Sequence, residues 1–271
     1  MQWSPEAEEA IRKVPFFVRK RVRARVESEA LQDGKTVISL ADVMATQKRY
    51  LSGMASEIKG YQLDTCFGPS GCPHRIQLPG PPLAERLEKL LQAENLLGFL
   101  KSKGIGDLKF HHEFRITLAD CPNACSQPQI KDIGIIAALL PGKSPADCSA
   151  CEACVGTCRE DALRIDPSVP APVIDVQRCV ACGQCIAVCP TGTMIESVKG
   201  YRIQLGGKLG RHPQLAHELP GLYDADTVLD IVAACLNLYK IKNRHGERFG
   251  VLLAQADLTR MADTFISRAL K

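Results

Sequence analysis

Aromatic residues and long apolar runs are scarce in this 271-residue sequence. Aromatic residues make up 5% of the chain, with a single Trp, so we do not expect aromatic stacking to be its main mode of recognition. No stretch approaches the roughly 18 consecutive apolar residues that a bilayer span needs, and the first residues lack the basic-then-apolar pattern of a signal peptide. We therefore expect a soluble cytoplasmic protein with no membrane span.

Cysteine, in contrast, is abundant, with 13 in the chain. Disulfides are rare in the reducing cytoplasm, so we interpret the cysteines, which fall in tight clusters, as metal ligands. Ligation also changes the charge, because three four-thiolate iron–sulfur clusters would contribute roughly −6 and turn the formal +4 into about −2. The basic composition is therefore weak evidence for nucleic-acid binding, and we expect none.

Hydrophobic periodicity predicts an α+β fold. Ser4-Pro5-Glu6 resembles a helix start, and apolar residues then recur at helical spacing. Later segments alternate between helical spacing and the period of two that is typical of strands. The predicted later elements are helices at 83–91, at 224–242 and from about 257, and strands at 114–118 and 133–140.

The chain also divides into segments of different character. A cysteine-rich block begins after a break at residues 141–145, where Pro and Gly cluster, and it looks inserted. We predict a helical N-terminal unit at 1–50, a cluster-binding domain in two parts at 51–145 and 196–271, and an inserted module at 146–195.

The inserted block repeats one cysteine spacing, Cys-x2-Cys-x2-Cys-x3-Cys. Three thiolates of such a run can hold three corners of a [4Fe–4S] cubane while the fourth reaches the other cluster, as in bacterial two-cluster ferredoxins. A pair of zinc knuckles is the alternative, but zinc does not require an eight-cysteine repeat. One cluster is expected on Cys148, Cys151, Cys154 and Cys189, and the other on Cys179, Cys182, Cys185 and Cys158.

Four further cysteines form a second constellation. Cys66 and Cys72 are separated by five residues, and Cys121 and Cys125 by three. Two such loops could close on a third cubane, and glycines in the first loop would let it turn sharply. From spacing alone, a zinc site remains open.

These residues resemble the sirohaem-dependent sulfite and nitrite reductases, whose hallmark is a Cys-x5-Cys pair followed by Cys-x3-Cys. The similarity continues through residues 119–134 and 206–213 and covers about residues 60–270. It is greatest to the dissimilatory and small anaerobic branches, which carry a similarly inserted ferredoxin module. The resemblance implies three [4Fe–4S] clusters and a sirohaem, with Cys125 bridging cubane and sirohaem iron.

The implied activity is multi-electron reduction of a small oxyanion, with sulfite ahead of nitrite, using electrons that an electron donor protein passes to the ferredoxin module. Family members contain two pseudo-repeated halves around the cofactor, whereas this chain contains one. The resemblance therefore implies a homo-oligomer or a second reductase subunit. The alternative is an iron–sulfur electron-transfer subunit of a larger reductase, without a functioning sirohaem.

Basic side chains must hold the oxyanion and the carboxylates of the cofactor, since anions need donors. We expect Arg115 and Lys131 to act with Cys125 in catalysis, and Arg75 and Arg211 to help Cys125 hold the cofactor. An ordinary surface position is the alternative for each of them. The full set of candidates by chemistry is His74, Arg75, His111, His112, Arg115, Lys131 and Arg211.

The N-terminal unit offers a second resemblance. Residues 7–19 resemble a short helical segment at the end of a subunit of light-independent protochlorophyllide reductase, which acts on a tetrapyrrole, and this resemblance suggests a cofactor-covering role. The basic stretch from Arg12 to Arg25 is either a solvated helix face or a surface for an anion, a cofactor or an acidic partner. Cys235 lies outside every motif and is expected to be a buried structural thiol.

Overall fold

A computed structural model of the chain describes residues 1–14, 16–104, 108–169 and 171–270, and within them all side chains except those at 16–18, 21, 32 and 49–57. These residues divide into two compact units. One unit comprises residues 1–58 with 108–109, and the other comprises 59–104 and 110–270. Within the described ranges, no helix is both long enough and apolar enough to cross a membrane.

The N-terminal unit is built from helices and a short parallel strand pair. Ser4 caps the first helix, because its hydroxyl accepts a hydrogen bond from the Ala7 amide at 3.2 Å, and Pro5 occupies the first turn. A small core contains Ala7, Val26, Ala30, Ile38 and Val43. The elements are β1 (Gln2–Trp3), α1 (Pro5–Arg12), α2 (Phe16–Gln32), β2 (Val37–Ile38) and α3 (Leu40–Glu57).

The larger unit mixes strands and helices, so the predicted α+β class is confirmed. Its strands are β3 (Tyr61–Thr65), β4 (Phe114–Ala119), β5 (Ile133–Lys143), β6 (Leu163–Arg164), β7 (Val173–Ile174), β8 (Met194–Leu205) and β9 (His217–Glu218). Its helices are α4 (Leu83–Ala93), α5 (Leu96–Ser102), α6 (Ala153–Thr157), α7 (Gln184–Ala187), α8 (Ala225–Lys242), α9 (Phe249–Leu252) and α10 (Gln255–Phe265).

The main sheet has the strand order β3-β4-β5-β8-β9. Strands β3, β4 and β5 are parallel, and β8 and β9 continue the sheet in antiparallel fashion. One face is apolar: Phe114, Ile116 and Leu118 of β4 lie in a core with residues of α4, α8 and α10. Helix α4 contributes Leu83, Leu87 and Leu91, which recur at helical spacing.

The opposite face of the sheet carries polar side chains, because neighbouring residues of a strand point to opposite sides. Gln62 and Asp64 of β3 are in register with Arg115 and Thr117 of β4. Farther along the same face, Gln204 of β8 lies opposite Gly134 of β5. The sheet thus packs one face against the apolar core, and we call the other the polar face, although Thr117, Ile136 and Gln204 on it are buried.

The cysteine-rich block lies between β5 and β8. These strands pair along their length to Lys143 and Met194, so residues 144–193 leave and re-join the sheet at adjacent points. The Ser144 amide donates to the Thr193 carbonyl at 2.8 Å across this junction. Strand β5 extends beyond the break predicted at 141, because a register shift between Leu140 and Pro141 accommodates a residue with no amide donor.

Candidate metal centres

The parallel strands β3 and β4 explain why two distant cysteine loops meet. Cys66 directly follows β3, and Cys121 lies two residues after β4. Because the carboxyl ends of neighbouring parallel strands lie at the same edge of a sheet, both loops start there. The Cys66 amide donates to the Leu118 carbonyl at 3.0 Å, which extends the pairing into the loop. We call Cys66, Cys72, Cys121 and Cys125 the strand-end set.

Backbone amides of these loops point at sulfur. The Cys66 thiol accepts hydrogen bonds from the amides of Asp120 at 3.2 Å and Gly68 at 3.3 Å. Ala124, immediately before Cys125, has a left-handed backbone with φ of 52°, and such turns gather amides into concavities that suit anions and iron–sulfur sites. The loops are therefore shaped to stabilise thiolates.

The four thiols of the strand-end set lie close enough to affect one another. Burial raises the pKa of the Cys121 thiol, and the neighbouring thiols of Cys72, Cys66 and Cys125 raise it further. Bound iron would reverse this effect by supplying positive charge. Among the described residues, no three His, Cys, Asp or Glu side chains are grouped to hold a single metal ion. Four thiols at one edge of the sheet match the four ligands of a four-iron cubane in number.

Exposure differs sharply within the strand-end set. Cys121 is buried, Cys66 and Cys72 are half-buried, and Cys125 is exposed. The loop of Cys125 lies beside the polar face of the sheet. The Ser126 hydroxyl donates to the Leu118 carbonyl of β4 at 3.1 Å, and the Ser126 carbonyl lies 3.3 Å from the Thr117 hydroxyl, which also contacts the Asp64 carbonyl at 3.1 Å. An exposed thiol above a polar face is free to contact a second group.

An ion pair supports the same edge. The Arg75 Nε atom lies 3.1 Å from Oδ2 of Asp120, whose side chain is mostly buried. Burial raises the pKa of the Asp120 carboxyl, and the positive charge of Arg75 acts against this. Gly68 packs directly on this carboxylate, because a Cβ there would lie 2.2 Å from Oδ2. Glycine at this position lets the first loop approach the second.

The ferredoxin-like repeat is visible in the backbone. At three pairs of equivalent positions, 31 residues apart, both runs turn into the left-handed region. Non-glycine residues adopt it at four of these six positions, which costs energy and persists only where the surroundings demand it. The pairs are Ala150 with Ala181, Glu152 with Gly183, and Asp161 with Gly192.

The fourth cysteine of each run lies beside thiols of the other run. Burial raises the pKa of the Cys154 thiol, and Cys148 and Cys189 add to the increase. Burial likewise raises the pKa of the Cys179 thiol in the second run, with a further increase from Cys158 of the first. We call Cys148, Cys151, Cys154 and Cys189 the first-run set, and Cys179, Cys182, Cys185 and Cys158 the second-run set.

All four thiols of the second-run set line one recessed, mainly apolar cavity. Burial raises the pKa of Cys185 to about 12, with further increases from Cys182 and Cys179. Cys189 of the first-run set behaves oppositely: a hydrogen bond from the Met194 amide, at 3.4 Å, leads the effects that lower its pKa to about 7. The cavity and the donors both fit the cubanes that the spacing predicts.

The second-run set adjoins the sheet. The Leu139 amide of β5 donates to the Ala181 carbonyl at 2.7 Å, and Leu139 forms a bridge with Cys182. A cleft of about 210 Å³ beside them is lined by Cys182 and Cys121 together with basic side chains. The second-run and strand-end sets therefore face a common cleft, whose basic lining residues are His74, Arg75 and Lys199.

The basic residues expected to bind substrate and cofactor are spread over the unit. Arg75 lies at the strand-end set, and Lys131 pairs with Asp64 at 2.5 Å on the polar face. Arg115 is the second residue of β4 and precedes Cys121 by six residues, a separation on the order of 20 Å at strand geometry. Arg211 is exposed in the loop between β8 and β9.

The buried ends of two polar side chains on this face have no hydrogen-bond partner within the described structure: Nε of Arg115 and Oε1 of Gln204. The Arg115 amide donates to the buried Asp132 carboxylate at 2.8 Å, and Asp132 is held by Arg248 at 3.0 Å. The unused Nε of Arg115 is a donor that an acidic group on this face could use.

The remaining candidates occupy ordinary positions. His111 and His112 lie in a turn with their rings 4.1 Å apart, and His74 is exposed at the cleft. Cys235 is fully buried in α8, and burial raises its pKa, as expected for a structural thiol. Sequence reasoning gave no role to Asp120 or Arg202; the position of Asp120 beside Cys121 was a possible signal, whereas Arg202 had none.

Two parts of the chain match models of known protein families. Residues 84–269, about two thirds of the chain, match the nitrite and sulphite reductase 4Fe-4S domain. Residues 3–46 match the proto-chlorophyllide reductase 57 kD subunit. The chain belongs to the nitrite and sulphite reductase 4Fe-4S domain family, and the resemblances predicted from sequence are confirmed.

Individual sulfite reductases are also similar to this chain. Coenzyme F420-dependent sulfite reductase of Methanocaldococcus jannaschii is 30% identical over 128 residues, 47% of this chain and 20% of that protein. The beta subunit of dissimilatory-type sulfite reductase of Archaeoglobus fulgidus is 32% identical over 111 residues, 38% of this chain and 30% of that protein. A crystal structure of dissimilatory sulfite reductase I gives a TM-score of 0.46 at 16% identity, covering 77% of this chain and 52% of that one.

The N-terminal unit has relatives of its own. One subunit of the light-independent protochlorophyllide reductase of Chlorobium phaeobacteroides is 49% identical over 53 residues, which are 20% of this chain and 10% of that protein. The chain thus spans 30% or less of the length of each of these curated relatives.

Proposed function

We propose that this chain is the cluster-bearing part of a sulfite reductase-type oxidoreductase, with three [4Fe–4S] clusters and a sirohaem. The observation that carries the proposal is the arrangement of twelve cysteines in three sets of four, two in the repeated runs and one at the strand ends. Each set can saturate one cubane. Sulfite is the first substrate to test and nitrite the second, because the relatives of the main domain are sulfite reductases.

The residues of the polar face fit a sirohaem. Cys125 offers an exposed thiol beside that face, and Arg115 offers a buried Nε without a partner. Lys131 and Arg211 are further cations within this domain, suited to the carboxylates of the cofactor or to the oxyanion. When bound, sirohaem supplies the iron at which a small oxyanion is reduced.

The chain's own side chains have distinct tasks in this proposal. Cys66, Cys72 and Cys121 anchor the strand-end cluster, while Cys125 is left exposed to share its thiolate. Lys131, positioned by Asp64, presents a positive charge on the polar face. The two runs hold the ferredoxin clusters, and the pairing of Leu139 with Ala181 keeps the second-run set against the sheet.

A specific observation favours the second candidate, an electron-transfer subunit without sirohaem. Two of the four basic residues proposed for cofactor and substrate are already paired with carboxylates, Arg75 with Asp120 and Lys131 with Asp64. A pair that is neutralised within the chain attracts an added anion less strongly than a free cation does. In that case the polar face would serve as contact surface for another subunit.

Anaerobic purification distinguishes these functions. We expect about twelve cluster iron atoms per chain, at four per cubane, and sirohaem bands in the ultraviolet-visible spectrum that cubanes lack. Iron near twelve without such bands, after expression with sirohaem supply, would favour the electron-transfer subunit. Iron near eight with only ferredoxin-like signals would rule out the strand-end cluster.

A further inference from the structure

Arg202 of β8 touches the inserted module from the sheet. Its Nη1 atom donates to the Val180 carbonyl at 3.3 Å. Its Nε and Nη2 atoms each donate at 2.6 Å to one oxygen of the Glu218 carboxylate on β9. The Arg202 side chain is only 22% exposed, and a bidentate pair of this kind fixes the plane of the guanidinium.

Val180 belongs to the loop between Cys179 and Cys182. Two successive carbonyls of this loop are held by the sheet, that of Val180 by Arg202 and that of Ala181 by the Leu139 amide at 2.7 Å. Ala181 also has φ of 58°, which a residue with a side chain rarely adopts. The sheet therefore fixes the loop that presents two thiols of the second-run set.

The guanidinium acts electrostatically on the same loop. Its Nη1 atom lies 3.3 Å from the carbonyl of Val180, the residue that directly follows Cys179 in the chain. Reduction potentials of iron–sulfur clusters respond to nearby charge and hydrogen bonding. Arg202 thus brings a fixed cation, with its counter-charge Glu218, to one of the ferredoxin sites.

We infer that Arg202 is a positioning residue that anchors the Cys179–Cys182 loop and raises the reduction potential of the cluster on the second-run set, with Glu218 limiting the effect. The inference rests on the proposed function, which puts a cluster there. Taking up one electron makes the cluster more negative by one charge, so a nearby cation stabilises the reduced form and a nearby anion destabilises it.

The test is an anaerobic potentiometric titration of the full chain, followed by electron paramagnetic resonance, with dithionite as the low-potential reductant. Arg202→Gln should lower the midpoint potential of one cluster by about 59 mV, which corresponds to a tenfold change in the equilibrium constant of a one-electron couple. Glu218→Gln should raise the midpoint of that same cluster. Arg202→Lys, which keeps the charge, should stay close to wild type.

The matched control is Arg164→Gln. Arg164 also lies in the larger unit and pairs with a carboxylate, Asp166 at 3.0 Å, but its side chain is 67% exposed. This variant should leave every midpoint unchanged, because solvent screens an exposed charge.

Opposite shifts from Arg202→Gln and Glu218→Gln support the inference, since a merely structural role would move both variants in the same direction. Shifts of the same sign, or none, in protein that retains about twelve iron atoms overturn it and leave the proposed function standing. If the Arg202→Gln protein loses its cluster, the Glu218→Gln variant alone tests the inference: a raised midpoint potential supports it, and a lowered or unchanged one overturns it. Wild-type protein that lacks the ferredoxin clusters would overturn both proposals.

Discussion

At the scale of single residues, the strand-end set is asymmetric. Cys121 is buried behind the end of β4, whereas Cys125, four residues later, is exposed on a loop with a left-handed residue before it. Three of the four proposed ligands are thus buried or half-buried, and the fourth is exposed. In the proposed function, this exposure suits Cys125 to the bridging role.

Cys125→Ser is therefore expected to abolish sulfite or nitrite reduction and to remove the electronic coupling between the strand-end cluster and sirohaem. The two ferredoxin clusters should remain visible, because their ligands come from other loops. Optical and paramagnetic resonance spectra, with an activity assay, provide the measurement. Cys235→Ala is the control and should keep about twelve iron atoms; a serine variant that reduces its substrate at the normal rate would refute the bridging role.

At the scale of elements, α3 shows how local sequence fixes a boundary. The Ser39 hydroxyl and the Asp42 carboxylate form a capping box, and Lys35 donates to Asp42 at 2.5 Å. The hydrogen bonds from Lys35 and then from Ser39 lower the pKa of Asp42 to about 2. The ionised carboxylate therefore stabilises the N-terminal unit.

Asp42→Ala should lower the free energy of unfolding of this unit by about 1 kcal/mol at neutral pH. A depressed pKa gives stability that is present above the unfolded value, about 3.9, and lost as the pH falls toward about 2. The difference between wild type and variant should thus shrink below about pH 4. Trp3, the single Trp of the chain, reports unfolding of this unit by fluorescence; a difference that does not change with pH would contradict the assignment.

Some elements could be predicted from sequence and others could not, for physical reasons. Apolar periodicity in the sequence predicted four elements, because each of them buries one face or both: β4, β5, α4 and α8. Strands β3 and β8 were not predicted, although Leu63 with Asp64 and Ile203 with Gln204 belong to short alternating runs of the kind that half-buried strands show. Their pairing depends on neighbours distant in the sequence.

The cysteine sets were predictable because ligand spacing is local, whereas the residues around them were not. Arg202 reaches Val180 only after β8 pairs with β5 and the module folds back. Asp120 meets Arg75 only where two strand ends converge. Contacts of this kind depend on tertiary structure, and no motif encodes them.

At the scale of the whole molecule, the chain contains one cluster-bearing domain and a separate N-terminal unit. A sirohaem held by one half would leave its carboxylates and one side of its iron open to solvent, without the basic side chains that bind a carboxylate or an oxyanion specifically. The basic stretch from Arg12 to Arg25 in the N-terminal unit is one source of such side chains, and a second copy of the chain is another. We propose that the protein self-associates, or that the N-terminal unit covers the cofactor.

Deletion of residues 1–58 should therefore reduce sirohaem occupancy or change the number of chains per particle in solution, while the three clusters remain. Light scattering and absorbance of the truncated and full chains, purified side by side, give the comparison. Iron content per chain controls for correct folding of the larger unit. A truncated protein that is monomeric with full sirohaem and full activity would show that the single half is sufficient.

The junction of Ser144 and Thr193 has a further consequence, for the order of folding and its dependence on iron supply. The ladder between β5 and β8 must close a loop of about 50 residues, at an entropic cost of about 3.5 kcal/mol for a flexible chain. If the module assembles first around the proposed clusters, it holds these two residues together and removes most of that cost. Chains made under iron starvation should therefore complete the sheet slowly, expose the edge of β5 to aggregation and proteolysis, and be degraded before they mature.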